Sequence, residues 1–503
     1  MAWLPSQPVS YAVVSSATPA TPRGTTSPAN DPIWLVTAVS FIIIVTLFGG
    51  SPRPEVVTLP LLRGAAVFVA VLGISGLVHR QLWHASGAIA LLAGFLVALP
   101  LAQLVPLPPG MTASLAGRGI LAEIDAVMGS APTWRPLTMS PLGTMNALLA
   151  ATVPLAALIL GLNVQRSHHR HLAKTFLGIG LVSLCLGLGQ MLATNDSALF
   201  FFETTNRGSP VGLFANRNHH AVFLACLIVL APLALTRGLR SNAGRAGEVA
   251  AGLKAAAVVL ACLWIAGMAL LTGSRSGALA AALALLGVPV LLIAQSRALQ
   301  SASLVRPSAH APLRGLLMIA GLGLIIPFTM WIERAPALDR WLGTDPDTEG
   351  RLRLMPQVLE LSWLYWPWGS GAGSFEKVFQ IHETETRLSP AYMNHAHNDV
   401  LEVIMTGGAA GLAFILCGVI GWLVLAFRAF VIGRADSLQP LRQAGVMITG
   451  LLALASLVDY PLRTPALAVL FVFAWIWAAL PVSTAAPPGG AKVPHIQLPE
   501  RPR

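Results

Sequence analysis

Charge is scarce in this 503-residue chain. Asp, Glu, Lys and Arg together make up 11% of it, against 55% apolar side chains, and the mean hydropathy of +0.70 lies far from that of a soluble globular domain. So few ionisable groups cannot cover a water-exposed surface of this size, which excludes a soluble fold and leaves a polytopic membrane protein. Cysteine is rarer still. Cys185, Cys226, Cys262 and Cys417 all fall inside apolar runs, where a thiol behaves as a small apolar group, so no disulfide framework is implied. A cleavable leader is missing too. Residues 1–30 are rich in Pro, Ser, Thr and Ala but lack a basic start and a cleavage site before an apolar core. They read as a disordered cytoplasmic tail ahead of an uncleaved first helix.

What the chain has in abundance is long apolar runs. A bilayer crossing needs about 20 mostly apolar residues, and twelve segments qualify, at 33–48, 61–78, 86–105, 143–163, 175–193, 216–235, 255–273, 276–295, 315–332, 404–427, 444–460 and 465–480. The last two are short for separate crossings. With both termini inside, the inner segments hold 18 of the 32 basic residues and only 4 of the 21 acidic ones, as expected when positive loops stay in the cytoplasm. The net charge of +11 then reports topology and contact with anionic lipid. It does not indicate nucleic acid, because the basic residues are dispersed over separate loops. The expected architecture is an all-α polytopic bundle of about twelve membrane helices. Helices 1–9 occupy 31–332, with an outer loop at 106–142. A large hydrophilic outer loop follows at 333–398, then helices 10–12 at 399–480 and a disordered cytoplasmic tail at 481–503.

The polar residues that remain are placed selectively. The first three spans carry almost nothing ionisable and read as scaffold. In the loop at 106–142 a helical stretch around Ile120 to Met128 suggests a short interfacial helix with Trp134 as anchor. The inner QRSHHRHLAK run reads as a solvated basic face. On the outer side, ANRNHHA opens the sixth span with Asn216, Arg217, Asn218, His219 and His220, and the tight TGSRSG link puts Arg275 at a hairpin tip beside Ser274. The 66 residues from Glu333 to Asn398 form the longest hydrophilic stretch, unusual for a structureless loop unless functional. It contains Arg351 and Arg353 in a helical run, then Trp363, Tyr365, Trp366 and Trp368, read first as interfacial anchors. The turn WGSGAGSF follows, which lacks the GxGxxG spacing of a nucleotide loop.

The stretch NHAHNDVLEVIMTGGAAG, Asn394 to Gly411, puts His395, His397, Asn398, Asp399 and Glu402 where a membrane helix meets water. Ionisable groups at membrane depth are costly and are functional suspects by default. Here the suspects are Arg217, Arg275, Arg351, His395, His397, Asp399, Glu402 and Arg463. Arginines near an imidazole suit an anionic leaving group: guanidiniums pair phosphate oxygens bidentately, and the imidazole takes a proton from a hydroxyl nucleophile. Alternate histidines with two carboxylates could also ligate zinc, but a catalytic zinc wants three ligands in fixed geometry and no HExxH-like spacing is present. The Asp345-Pro-Asp347 pair lies on the wrong side for nucleotide sugars. No metal site is expected. Asp399 either orients His397 or caps the helix that follows.

His397-Asn398, nine residues, Gly408, two residues and Gly411 resemble the H-[NSQ]-x9-G-x2-G pattern of the O-antigen ligase and polymerase family of membrane glycosyltransferases. TGSRSG, GRLRLMPQ and PWGSGAGSF look similar to its supporting motifs. The resemblance implies a metal-independent, cofactor-free, inverting enzyme of GT-C type in the bacterial inner membrane, working on the periplasmic face. Its donor would be a glycan on undecaprenyl diphosphate, and its surroundings the bilayer and other polysaccharide assembly proteins. By that resemblance Arg275 and Arg351 grip the diphosphate, with Arg217 a weaker third, and His397 activates the acceptor beside Asn398 and Asp399. His395, Arg353 and Ser274 are secondary. The acceptor stays open among O-antigen ligation, polymerisation and protein O-glycosylation, with a slight lean to exopolysaccharide-type members. A lipid-linked glycan flippase is the rival class. It would want ionisable groups at mid-bilayer and related halves, and neither is evident.

Overall fold

The structure, a computed structural model, describes residues 32–53, 55–80, 87–194, 197–203, 206–235, 244–300, 346–383, 393–433 and 436–481. The expected tails, the ninth span at 315–332, and 333–345 and 384–392 of the large loop lie outside the described residues. The described chain is all-α apart from a two-residue antiparallel pairing, Pro106–Leu107 with Arg135–Pro136.

The first helices are α1 (Pro32–Phe48), α2 (Thr58–Arg80) and α3 (Gly87–Leu104), followed in the outer loop by α4 (Pro109–Ser114) and α5 (Gly119–Met128). Then come α6 (Pro141–Asn163), α7 (His169–Leu192), α8 (Arg217–Leu235), α9 (Gly244–Leu271) and α10 (Arg275–Gln300). After the gap follow α11 (Pro346–Leu364), α12 (Phe375–His382), α13 (Asp399–Phe427), α14 (Gln439–Ala455) and α15 (Pro465–Ala479). Among the described residues six helices are long and apolar enough to cross a membrane: most of α2, α6, α7, α9, α10 and α13. Most or all of α1, α3, α8 and α15 form shorter apolar helices. Outward residues such as Phe68 (64% exposed) and Leu286 (71%) are large and apolar, as a lipid-facing surface requires and a water-facing one does not tolerate in such number. The expected span at 444–460 is corrected. Its helix, α14, stops at Ala455, and Ser456 to Thr464 turn back as a hairpin with a single 3-10 turn, Pro461–Arg463.

Close helix approach rests on small residues, the usual device where lipid removes any hydrophobic drive for helices to associate. A Cβ on Gly277 of α10 would come within 2.2 Å of the Ala221 Cβ on α8, and one on Gly445 of α14 within 2.4 Å of the Ala474 carbonyl on α15. The Gly277 contact sets the TGSRSG turn beside the first turns of α8. Around these contacts one apolar core joins α1, α6 to α10, α14 and α15.

A second, smaller core lies at the outer side. It holds Val358, Leu361 and Tyr365 with Phe375, Val378 and Phe379, closed by Ala396 and Met405. Tyr365 is fully buried there, whereas Trp363 and Trp368 are exposed. The interfacial loop is tied in by a buried guanidinium: Arg118 donates to the carbonyls of Ala116, Leu137 and Gly369. Trp134, two-thirds exposed, stands clear of this clasp.

One junction fixes where the functional stretch sits. α13 is broken at Gly408, whose backbone (φ 59°, ψ −142°) is not helical. The glycine-rich turn before α12 docks into the break. Ala409 N–H donates to Pro367 O at 2.8 Å, Ser370 N–H to Met405 O at 2.9 Å and Gly371 N–H to Thr406 O at 2.9 Å. Gln103 of α3 completes the joint, donating to Thr406 O at 3.0 Å and accepting from Ala372 N–H at 2.8 Å. The turn is thus a plug for a broken helix, which accounts for its glycines without a phosphate.

Candidate active site

Asn398 opens α13 as its N-cap, accepting from Leu401 N–H at 3.0 Å, while its amide donates to Leu457 O at 2.9 Å. Asp399 N–H donates to Ser456 O at 2.8 Å. These bonds pull the hairpin after α14 onto the NHAHND stretch, so two segments some 60 residues apart share one site.

Asp399 does not orient His397. Its carboxylate accepts from Arg463 Nε at 3.0 Å and from Ser456 Oγ at 3.0 Å, and Arg463 reaches Glu402 at 3.1 Å. Burial alone would lower the Arg463 pKa, but the Glu402 and Asp399 carboxylates reverse this and hold it above its ordinary value. Arg463 is therefore a fixed counter-ion for two buried acids. Glu402 also accepts from Ala396 N–H at 2.9 Å and pairs with His395 Nδ1 at 3.1 Å, which anchors the loop just before His397.

The carboxylate on His397 is Asp459, with Nδ1 to Oδ1 at 3.3 Å. Asp459 is 2% exposed and is held by Asn218 Nδ2 at 2.8 Å and Tyr460 N–H at 3.0 Å. A carboxylate only accepts, so Nδ1–H donates and Nε2 carries the lone pair. His397 sits in the left-handed region (φ 50°), a strained conformation for a branched-ring residue that surrounding contacts must hold. Tyr460 packs its ring against both imidazoles, with centroids 4.6 Å from His395 and 4.8 Å from His397. His219 stands edge-on to the same ring at 5.2 Å, hydrogen-bonds Thr464 at 2.9 Å and comes within 4.0 Å of Asp459.

The expected site residues divide accordingly. His395, His397, Asn398 and Asp399 come together with Arg463. Arg217, buried at the start of α8, stands one residue before Asn218 and so borders the Asp459 pocket. Arg275 begins α10 and is exposed, next to a Ser274 that caps the helix by accepting from Gly277 N–H at 3.1 Å. Arg351 and Arg353 fall on α11, in a stretch described for its backbone only. The sequence reading overlooked Asp459. The signal was available in DYPLRTP, an acid one residue from an aromatic at an outer hairpin tip, but nothing in the one-dimensional pattern pairs it with His397.

The site opens onto a cavity of about 1210 Å³, larger than the roughly 300–1,000 Å³ of small-molecule sites. His395, Asp399, Glu402 and Arg463 line its outer end, and Phe95, Leu99, Phe414, Trp422, Phe430 and Trp475 line its length. A polar head against a long apolar wall matches an amphiphile better than a free sugar.

Residues 256–416 match the family model described as O-Antigen ligase. The matched segment runs from α9 past the break in α13 and contains Arg275, Arg351 and His397; Asp459 and Arg463 lie beyond it. No curated protein matches the chain.

Proposed function

From the chain's membership of the O-antigen ligase and polymerase family of membrane proteins, we propose that it transfers a glycan from undecaprenyl diphosphate to an acceptor hydroxyl at the periplasmic face, with inversion and without a metal. The observation that carries this reading is the Asp459–His397 pair, an imidazole with its tautomer fixed by a buried acid, next to a lipid-sized cavity. As the acceptor oxygen bonds to the anomeric carbon, its proton passes to His397 Nε2. The anomeric C–O bond breaks, and its electron pair leaves on undecaprenyl diphosphate. Arg275 and Arg351, with Arg217 in support, balance the charge that develops there.

The test is turnover by the purified protein given an undecaprenyl-linked repeat unit, with and without lipid A-core. A product ladder from the donor alone assigns polymerisation, and a single transfer that needs lipid A-core assigns ligation. No product with any acceptor, from protein that is folded and monodisperse, overturns the reading.

Two predictions follow from the site. Arg275→Ala and Arg351→Ala should each lower kcat/KM for the donor by about 10²–10³-fold, the usual loss on removing one charge-stabilising donor, while inserting normally. Wild-type transfer by both would remove the arginines from the mechanism. Asp459→Asn should lower kcat by about 10²-fold or more by releasing the imidazole tautomer, with the donor KM little changed. Asp399→Asn, by contrast, should act on stability through Arg463, so equal kinetic losses in the two variants would contradict the division of the two acids.

A further inference from the structure

The scaffold helix α2 carries a charge that the proposed chemistry does not use. Arg63 is the sixth residue of α2, about 7–8 Å along the helix axis from its outer end at 1.5 Å per residue, within a stretch apolar enough to span a membrane. Its guanidinium lines the cavity, and its hydrogen-bond partner is the neutral amide oxygen of Asn146 on α6, at 2.7 Å. Among the described residues it has no carboxylate partner. Arg53, in the link between α1 and α2, lines the outer rim of the same cavity, again with no carboxylate partner among the described residues.

The contrast with the other charges on this wall is informative. Arg463 is neutralised by Asp399 and Glu402, and Glu376 by Lys377. Glu55 lies exposed on the rim and makes no ion pair with either remaining arginine. The rim is left with two guanidiniums against one carboxylate, above a wall of aromatic and aliphatic side chains. A guanidinium at membrane depth is costly without an anion, and its planar fork matches phosphate oxygens.

We infer that Arg63 and Arg53 form a phosphate site, separate from Arg275 and Arg351, for the headgroup of a phosphate-bearing lipid whose chain lies in the cavity. Resting on the transfer reading above, this lipid is the acceptor's anchor, with the donor phosphates on the α8 and α10 side of His397 and Asp459. The imidazole then stands between two lipid headgroups, and the acceptor class is a membrane-anchored glycolipid, not a protein.

The experiment is native mass spectrometry of the full-length protein in detergent, titrated with undecaprenyl phosphate, and with undecaprenol as the uncharged control. Wild type should bind two molecules of the phosphate lipid. Arg63→Gln should bind one, Arg275→Gln one, and the double variant none. Undecaprenol should bind at least tenfold more weakly. Arg63→Lys keeps the charge and any snorkelling but loses the fork, so it should insert like wild type and bind the Arg63-dependent lipid about tenfold more weakly; this guards against a Gln variant that fails to fold. Two lipids retained by folded Arg63→Gln, equal binding of undecaprenol, or displacement by inorganic phosphate at matched concentration would each overturn the inference. Wild type that binds two lipids yet makes no product would overturn the transfer reading and leave this site standing.

Discussion

Replacing His397 by alanine is expected to lower glycan transfer by about 10²–10⁴-fold, the range over which a positioned general base contributes. The loss should appear in kcat, because His397 takes the acceptor proton only as the new bond forms, and donor binding should survive. His397 is held by Asp459 at 3.3 Å and by its packing on Tyr460, not by a role in any core, so the variant should fold. His395→Ala is the internal comparison. His395 pairs with Glu402, and its loss should loosen the loop and slow transfer far less. Steady-state transfer by the two purified variants measures the difference. Equal losses, or transfer unchanged in His397→Ala, would take His397 out of the base role.

The second large effect is structural. Gly408→Val should destabilise the protein by about 3 kcal/mol or more, from a backbone region open almost only to glycine and from overpacking. A Cβ there would come within 2.0 Å of Pro367 O and 2.6 Å of Gly369 N. These are backbone atoms of the plug and cannot swing away. The neighbour supplies the control, since at Gly407 a Cβ would meet only a Leu99 methyl at 3.4 Å. Gly407→Ala should therefore fold and melt close to wild type. Thermal unfolding in detergent distinguishes the two, and a Gly408→Val protein as stable as wild type would contradict the plugged break.

That pair of glycines shows how a motif can be legible while its reason is not. The spacing from His397 to Gly408 and Gly411 marks the family in sequence, and composition gives a close entry to the membrane as a general reason for glycine. The partner that demands it, a carbonyl at Pro367 some 40 residues earlier, appears only once the turn docks. The same limit hid Arg63. Read along the chain it is one basic residue near the end of an apolar span, as snorkelling allows. Its meaning depends on α6 offering an amide and not an acid.

What the chain determined by itself is its solvent and its chemistry in outline. With 11% charged residues and apolar runs of membrane length, the helices and their alternating directions follow from the need to satisfy backbone hydrogen bonds inside lipid. The imidazole at the water boundary follows from the cost of placing it deeper. Tertiary structure alone decided which acid serves which base. Asp399 is two residues from His397 and Asp459 is 62 away, yet the helix that begins at Asp399 turns its side chain to Arg463, while the hairpin after α14 delivers Asp459 to His397. Proximity along a chain fixes a side chain's position only through the helix phase, and a hydrogen bond needs direction as well as nearness.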